Sequence, residues 1–284
     1  MNEWFKIIVK MQHTVTTSGD GSSTLQLTQF GEAYHSTNGA YTEAVHIYIE
    51  RGLEYLFHNV QSYCPPEEIS ALATQQMDSG LGTIDVFDVG LGTGLNCILA
   101  WAWQEQLRRK GLPYPRIKYY GIEKFPIPLL ETMELNYPDI IAGHTNILPN
   151  RLSEIFNYMH RSPWEEDVAV DRDFILHKSC ADIAELGADY YREACSIKGE
   201  GSLISPNCGN TAAVVFYDTF SPAIQPELWN EAIFRNIAAG CPSGSVLVTY
   251  CSKGTVKHAL RNTGFTLERL AGPPGKRHIL RGTL

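Results

Sequence analysis

The sequence predicts an α/β chain built on a doubly wound, mostly parallel sheet. Three observations carry that expectation. An apolar, β-branched run over 84–89 ends in three glycines at alternate positions, Gly90, Gly92 and Gly94, ahead of a helix-like segment. Strand, tight glycine turn and helix, in that order, open an α/β nucleotide site. Strand-like and helix-like stretches then alternate about five times, the order that yields parallel strands joined by crossover helices. Finally, 265–270 and 277–283 flank Gly272-Pro273-Pro274-Gly275, so the last two strands are expected to pair antiparallel as a hairpin.

The glycine turn says something about its ligand. Its spacing is G-x-G-x-G, not the G-x-G-x-x-G that seats a pyrophosphate on a helix N-terminus. Asp88, two residues ahead of Gly90, places a negative charge where a dinucleotide phosphate would sit. A cationic ligand such as S-adenosylmethionine, with its sulfonium and α-ammonium, suits that position better. By itself the turn is also compatible with a plain connection.

Taken in order, residues 1–23 are expected to form a flexible lead-in, polar and rich in glycine and serine from Met11 to Ser23. The apolar patch within 1–10 is interrupted by lysines and lacks a small-residue cleavage site, so it does not read as a signal peptide. Residues 24–28 alternate like a strand, 36–39 carry turn chemistry, and 44–57 read as a helix with a broad apolar face. A second helix over 66–77 and a turn at 78–80 complete a segment, 24–80, expected to pack over the sheet as a lid or edge. The remainder, 81–284, is read as one domain.

Within that domain, 95–110 is a helix closing on Arg108-Arg109-Lys110-Gly111, a cationic last turn with a glycine stop. The strand 116–123 ends at Glu123, where an acid accepts hydrogen bonds from ribose hydroxyls in doubly wound sheets; an ordinary strand-end carboxylate is the alternative. Helices are expected over 126–137 and 148–159, and a strand over 173–177. Asp182 follows in a strand-to-helix loop on the same sheet edge, where it can accept from an adenine amino group. Residues 195–210 have the composition of a surface loop or hairpin insertion. The continuous apolar run 212–218 has the pattern of a central buried strand and ends at Asp218. A helix over 226–239, a strand over 244–251 and a helix over 255–262 lead to the closing hairpin.

Composition narrows the class. The chain is 44% hydrophobic and 19% charged, as in globular proteins, and no apolar run is long enough to span a membrane. Its seven cysteines are odd in number, scattered, and never form C-x-x-C. That argues against both a disulfide framework and a thiolate zinc site, and no metal is expected. With nothing to direct it elsewhere, a cytoplasmic location is expected. The net charge of −8 is unevenly spread. From Tyr250 onward seven basic residues (Lys253, Lys257, Arg261, Arg269, Lys276, Arg277 and Arg281) face one acid, Glu268, so the tail carries +6 and the remainder −14. Such asymmetry points to an anionic partner or to a merely basic surface.

Three motifs standing together resemble a known family: Gly90-Leu91-Gly92-Thr93-Gly94-Leu95-Asn96, Ile122-Glu123-Lys124-Phe125-Pro126 and Asp218-Thr219-Phe220-Ser221-Pro222. The chain looks like a class I methyltransferase and, more narrowly, resembles the methyltransferase domain of the MnmC family of tRNA-modifying enzymes. Tyr34-His35-Ser36, Asn38-Gly39 and Glu43 are similar to the family's opening. Pro226-Glu227-Leu228-Trp229, Thr263-Gly264-Phe265-Thr266 and the run from Gly272 to Arg277 are similar to its later motifs. Thr219 and Ser221 depart from the glycine and alanine common there.

The resemblance implies a Rossmann-like sheet with an antiparallel terminal pair, and transfer of a methyl group from S-adenosylmethionine. The acceptor would be the primary amine of a 5-aminomethyl-(2-thio)uridine at the tRNA wobble position. It implies cofactor contacts at Asp88, Gly90, Gly92, Gly94, Asn96, Glu123, Lys124 and Asp182. It also implies catalytic roles for Asp218 and Phe220, and substrate contacts at Tyr34, Glu43, Pro222, Lys253, Lys276 and Arg277. Asp218 would accept the amine's hydrogen bond, with a helix N-cap as its alternative role. Phe220 would wall the methyl group or stack on a flipped-out base. Two-domain relatives add a flavin-dependent oxidase; here no FAD is expected, so an upstream enzyme would supply the free aminomethyl substrate. Two other readings stand beside this one, a methyltransferase of small-molecule amines and a non-catalytic cofactor- or RNA-binding module.

Overall fold

A computed structural model describes residues 13–27, 32–62, 82–196 and 213–284. At its front, β1 (His13–Thr17), β2 (Ser23–Leu27) and β3 (Glu32–Ala33) form a small antiparallel sheet. The expected flexible lead-in is therefore corrected over 13–23. Its serines and glycines build a turn in which the Asp20 carboxylate accepts from the Ser22 N–H (3.1 Å) and, across the chain, from the Thr42 N–H (2.8 Å). Short polar side chains that bond backbone favour ordered turns as readily as disorder.

A continuous helix over 40–62, here α1, follows: Ala40–Ala44, a segment Val45–Glu54 wound in wide i→i+5 turns, and Tyr55–Ser62. The wide winding puts three consecutive residues, Ile47, Tyr48 and Ile49, into the interior. Gly52 lets the helix cross the sheet closely, since a Cβ there would lie 2.8 Å from a Val248 methyl and 3.2 Å from the Phe216 ring. Burying Ile47 and Leu53 completely contributes about 1.5–3 kcal/mol each. The expected packing of this segment over the sheet thus takes the form of a helix laid across one face.

The remaining elements are β4 (Thr83–Val89), α2 (Leu95–Arg109), β5 (Arg116–Ile122), α3 (Leu129–Thr132), α4 (Tyr137–His144), α5 (Pro149–Arg161), β6 (Asp167–Asp171), β7 (Phe174–Ser179), α6 (Ala188–Ser196), β8 (Ala213–Tyr217), α7 (Glu231–Gly240), β9 (Val246–Thr249), α8 (Gly254–Asn262), β10 (Thr266–Ala271) and β11 (His278–Thr283). The eight-stranded sheet has the order β10-β11-β9-β8-β4-β5-β7-β6. Its five central strands are parallel, and antiparallel strands close both ends. β4 is buried at every position but Thr83, and β8 and β9 throughout. Strands covered on both faces read as unbroken apolar runs for this reason.

Several expectations need correction. Residues 126–137 hold one short helix, α3, and only the start of α4: Pro128 precedes α3, and Pro138 occupies the first turn of α4, where a missing N–H costs nothing. Residues 226–239 likewise divide into a single tight turn, Pro226–Trp229, and α7. The Asn230 side chain caps α7 by accepting from Ala232 N–H (2.8 Å) and Ile233 N–H (3.2 Å). β6 and α6 had no expected counterpart. The helix over 66–77, the turn over 78–80 and nearly all of the loop over 195–210 lie outside the described residues. One apolar layer packs α1, α2 and α5 on one face of the sheet; a second packs α6, α7 and α8 on the other.

The register matters most for function. Val89 is level with both Ile122 and Tyr217, so the segments after β4, β5 and β8 emerge side by side. Gly90 N–H and Leu91 N–H both donate to Ile122 O (3.0 and 3.1 Å), and Asp218 N–H donates to Val89 O (3.0 Å). The carboxyl ends of parallel strands are where open α/β sheets bind ligands.

Candidate active site

The three loops meet around a cavity of about 460 Å³, within the range of small-molecule sites. Its wall includes Gly90 and Gly92 from the glycine turn, Glu123, Lys124 and Phe125 after β5, Ala181–Ala184 after β7, and Asp218, Thr219 and Phe220 after β8. Leu27 and Tyr34 of the small front sheet close one side.

The glycine turn needs its glycines. Gly90, Gly92 and Gly94 have φ of +95°, +48° and +74°, a region costly for residues with a Cβ. A Cβ on Gly90 would also lie 2.6 Å from the Asp218 carbonyl oxygen. Gly90→Ala is expected to destabilise the fold by at least about 1–3 kcal/mol and to push the β8 loop away from the cavity. A thermal melt reads this out, and an unchanged Tm would show that the turn can relax. Thr93, fully buried, anchors the turn from behind. It lies 2.5 Å from His35 Nε2 and accepts from the Tyr137 hydroxyl at 3.0 Å. Burial pushes the His35 imidazole down to about 4, so this anchor stays neutral near pH 7.

Glu123 caps the turn from the neighbouring strand. Its carboxylate accepts from Gly92 N–H (3.0 Å) and Phe125 N–H (2.8 Å). Burial pushes its carboxyl up while these backbone donors pull it down. Each oxygen keeps a lone pair, since a carboxylate can accept about four hydrogen bonds. Asp182 accepts from Ala184 N–H (2.9 Å) and pairs with the Lys124 ammonium. Burial raises its carboxyl, but Lys124 and the Ala184 N–H outweigh that and hold it below the usual range.

Asp218 is held by two donors: the Tyr48 hydroxyl to Oδ1 (2.5 Å) and the Asn96 amide to Oδ2 (2.9 Å). Burial pushes its carboxyl up, against these donors and the more distant charge of Lys276. Its backbone segment is pinned as well. Tyr250 OH donates to Thr219 O, and Trp229 Nε1 to Phe220 O, both at 2.9 Å. The Phe220 ring meets Tyr34 edge-on at 5.1 Å between centroids. The result is an acid with fixed orientation beside an aromatic wall, able to take a proton or an N–H hydrogen bond.

Comparison with known proteins places the chain among similar sequences and folds. A family profile described as S-adenosyl-L-methionine-dependent methyltransferase matches residues 200–284. The chain is similar to "tRNA 5-methylaminomethyl-2-thiouridine biosynthesis bifunctional protein MnmC" of Methylobacillus flagellatus, 26% identical over 257 residues. That alignment covers 89% of this chain and 32% of the relative. The protein of the same name from Ralstonia nicotianae is 24% identical over 253 residues, covering 88% of this chain and 31% of its own. The chain is similar to MnmC proteins over most of its own length, and S-adenosylmethionine-dependent methyl transfer is the chemistry that the matching family profile describes. It spans about a third of the length of these relatives. The solved structure of "MNMC2 from Aquifex Aeolicus" shares its fold, with a TM-score of 0.61 and 20% identity, covering all of this chain and 78% of that one.

Of the residues that the MnmC-like motifs single out, Tyr34, Gly90, Gly92, Glu123, Lys124, Asp182, Asp218 and Phe220 line the cavity. The others do not. Asp88 is fully buried beneath the turn, accepting from the Tyr119 hydroxyl at 2.6 Å. Burial pushes its carboxyl well up, so the expected surface charge facing a cationic ligand is corrected to a buried support. Asn96 reaches Asp218 from the first turn of α2, and Gly94 begins that helix in a left-handed conformation. Glu43 is buried and paired with Lys276 at 2.5 Å; Lys276 also sits 4.2 Å over the Tyr250 ring. Both tie the closing hairpin to α1 and stand off the cavity wall. Pro222 does not line the cavity, although Phe220 before it and Ile224 after it do, while Lys253 and Arg277 are exposed. Sequence reasoning missed Tyr48, which looks like one more apolar position of a helix.

Proposed function

We propose that this methyltransferase methylates the primary amine of a 5-aminomethyl-(2-thio)uridine at the wobble position of tRNA, giving the methylaminomethyl base. The observation that carries the reading is Asp218 at the cavity wall, held by two donors beside Phe220, in a chain similar over most of its length to MnmC proteins.

The residues present fit S-adenosylmethionine. Gly90 and Gly92 offer a wall without side chains, Glu123 a carboxylate with open lone pairs for two ribose hydroxyls, and Asp182 an acceptor near an adenine amino group. When bound, the cofactor supplies an electrophilic methyl group to a neutral nitrogen. The chain's own task is mostly placement and exclusion of water. An alkyl amine resembles lysine, with an unperturbed value of about 10.4, and is largely protonated near neutral pH. Asp218 accepts an N–H of that amine and turns its lone pair toward the cavity. Phe220 and Tyr34 wall the reacting space and offer aromatic faces to a splayed base. The substrate must arrive as the free primary amine, supplied by a separate reaction, and a cytoplasmic location accords with a tRNA substrate. Among the described residues, no helix is long and apolar enough to cross a membrane.

Incubating the protein with S-adenosylmethionine and tRNA bearing the aminomethyl base should yield the methylated nucleoside by mass spectrometry. Methylation of small amines with tRNA left untouched would defeat the substrate assignment. Lys253 and Arg277, exposed near the chain's end, are suited to backbone phosphates, which position a nucleic acid without reading it. Charge reversal at both should weaken tRNA binding and reduce its salt slope by about one for each phosphate left unpaired. An unaltered slope would remove them from the interface.

A further inference from the structure

Asp218 and its proton raise a question that the cavity residues do not answer, namely what keeps a carboxyl at a partly desolvated strand end in its accepting form. The answer lies outside the cavity, on α1. Tyr48 is about 1% exposed and sits in the wide-wound part of that helix. Its hydroxyl reaches Asp218 Oδ1 at 2.5 Å, while Asn96 reaches Oδ2 at 2.9 Å. Its ring packs against Phe216, two residues ahead of Asp218 on the central strand, with centroids 5.4 Å apart. Wide helical turns are uncommon and concentrate at functional sites. Here the winding brings three consecutive side chains inward, and the middle one is the tyrosine.

We propose that Tyr48 is a positioning residue for methyl transfer, holding Asp218 in the orientation and ionised form that receives the acceptor amine's proton. This deepens the function proposed above and rests on its assignment of Asp218. A protonated carboxyl must spend one oxygen as a donor; a carboxylate accepts at both. With an O–H aimed at one oxygen and an N–H at the other, both donors bind the charged form more strongly than the neutral acid, and together they favour the anion. The alkylammonium nitrogen must lose a proton before its lone pair can attack, and Asp218 in its anionic form can take it. Other groups bear on the same carboxylate. Asp88, buried behind Asn96, has its own carboxyl pushed well up by burial, Lys276 favours the Asp218 anion from the closing hairpin, and the buried Tyr250 hydroxyl faces the same region from the end of β9. Among the described residues, Tyr48 and Asn96 are the ones whose side chains bond the Asp218 carboxylate.

The test is Tyr48→Phe, which removes one oxygen and keeps the ring. A hydrogen bond to a charged group lost in this way corresponds to a fall in kcat of about ten- to a hundred-fold. KM for the tRNA and Kd for S-adenosylmethionine should stay within about threefold, because Tyr48 lines neither site. The hydroxyl favours the ionised Asp218, so its removal raises that group's titration, and the acidic limb of the kcat profile should move to higher pH. An acidic limb and kcat like those of the wild type would overturn the proposal. So would a cofactor Kd that rises in step with the loss of kcat, the mark of a general structural role. Should Tyr48→Phe not fold, 3-fluorotyrosine at position 48 keeps ring and hydroxyl, strengthens the donor, and must move the limb to lower pH. If the wild type methylates a small amine and not tRNA, the substrate assignment fails, while the same comparison on that amine still decides Tyr48.

Discussion

Asp218→Ala is expected to abolish methyl transfer while leaving the affinity for S-adenosylmethionine within a few-fold of the wild type. The carboxylate lies on the cavity wall at the end of β8, and Glu227, the other acid that this segment brings to the wall, is exposed. Glu123, across the cavity, is engaged by two backbone N–H groups, and Asp182 by Lys124. General-base contributions run to about 10²–10⁴ in rate, so residual turnover near wild type would sink the assignment outright. The substitution also strands the Tyr48 hydroxyl and the Asn96 amide without their acceptor. Buried donors left unpaired cost about 1–3 kcal/mol each, so a lower Tm accompanies the lost activity. Isothermal titration with the cofactor separates the two effects, because a folded protein that still binds but does not turn over isolates the chemical role.

Glu123→Ala should have the opposite signature, a loss of cofactor binding that precedes any question of chemistry. Glu123 joins the glycine turn to the β5 loop through Gly92 N–H and Phe125 N–H. Its removal leaves both donors to solvent and takes away the acceptor proposed for the ribose. Losing hydrogen bonds to a charged acceptor costs about 1.5–3 kcal/mol, or about ten- to a hundred-fold in Kd. Glu123→Gln, which keeps one acceptor oxygen, should fall between. Titration of both variants checks the order, and affinity equal to wild type in Glu123→Ala would place the ribose elsewhere. The pair of variants is expected to divide the cavity, with Asp218→Ala affecting turnover and Glu123→Ala occupancy.

The loops that form this cavity were legible because their chemistry is local. Three glycines at alternate positions announce backbone that must take positive φ, and an acid at the end of an apolar run announces a strand tip. Gly90, Glu123 and Asp218 were found in that way, and the sheet register brings them together. Where local signals mislead, the cause is also physical. Polar residues over 18–22 have the composition of a flexible tail, yet their side chains satisfy backbone donors in a tight turn against α1. Asp88 reads as a charge facing a ligand, yet it lies beneath the turn, where Tyr119 supplies its partner. Lys276 counts toward a basic tail, yet Glu43 and Tyr250 engage it at short range.

The sheet, the glycine turn and the acids at the strand tips are legible in the sequence alone, because period, glycine and strand-end chemistry are written within a few residues. Tertiary structure alone decided which of those acids see the cavity and what holds them. Tyr48 and Asp218 stand 170 residues apart, and Lys276 and Glu43 stand 233 apart. No pattern in a linear chain encodes such a contact, because it exists only once α1 lies across the sheet and the last hairpin closes against it.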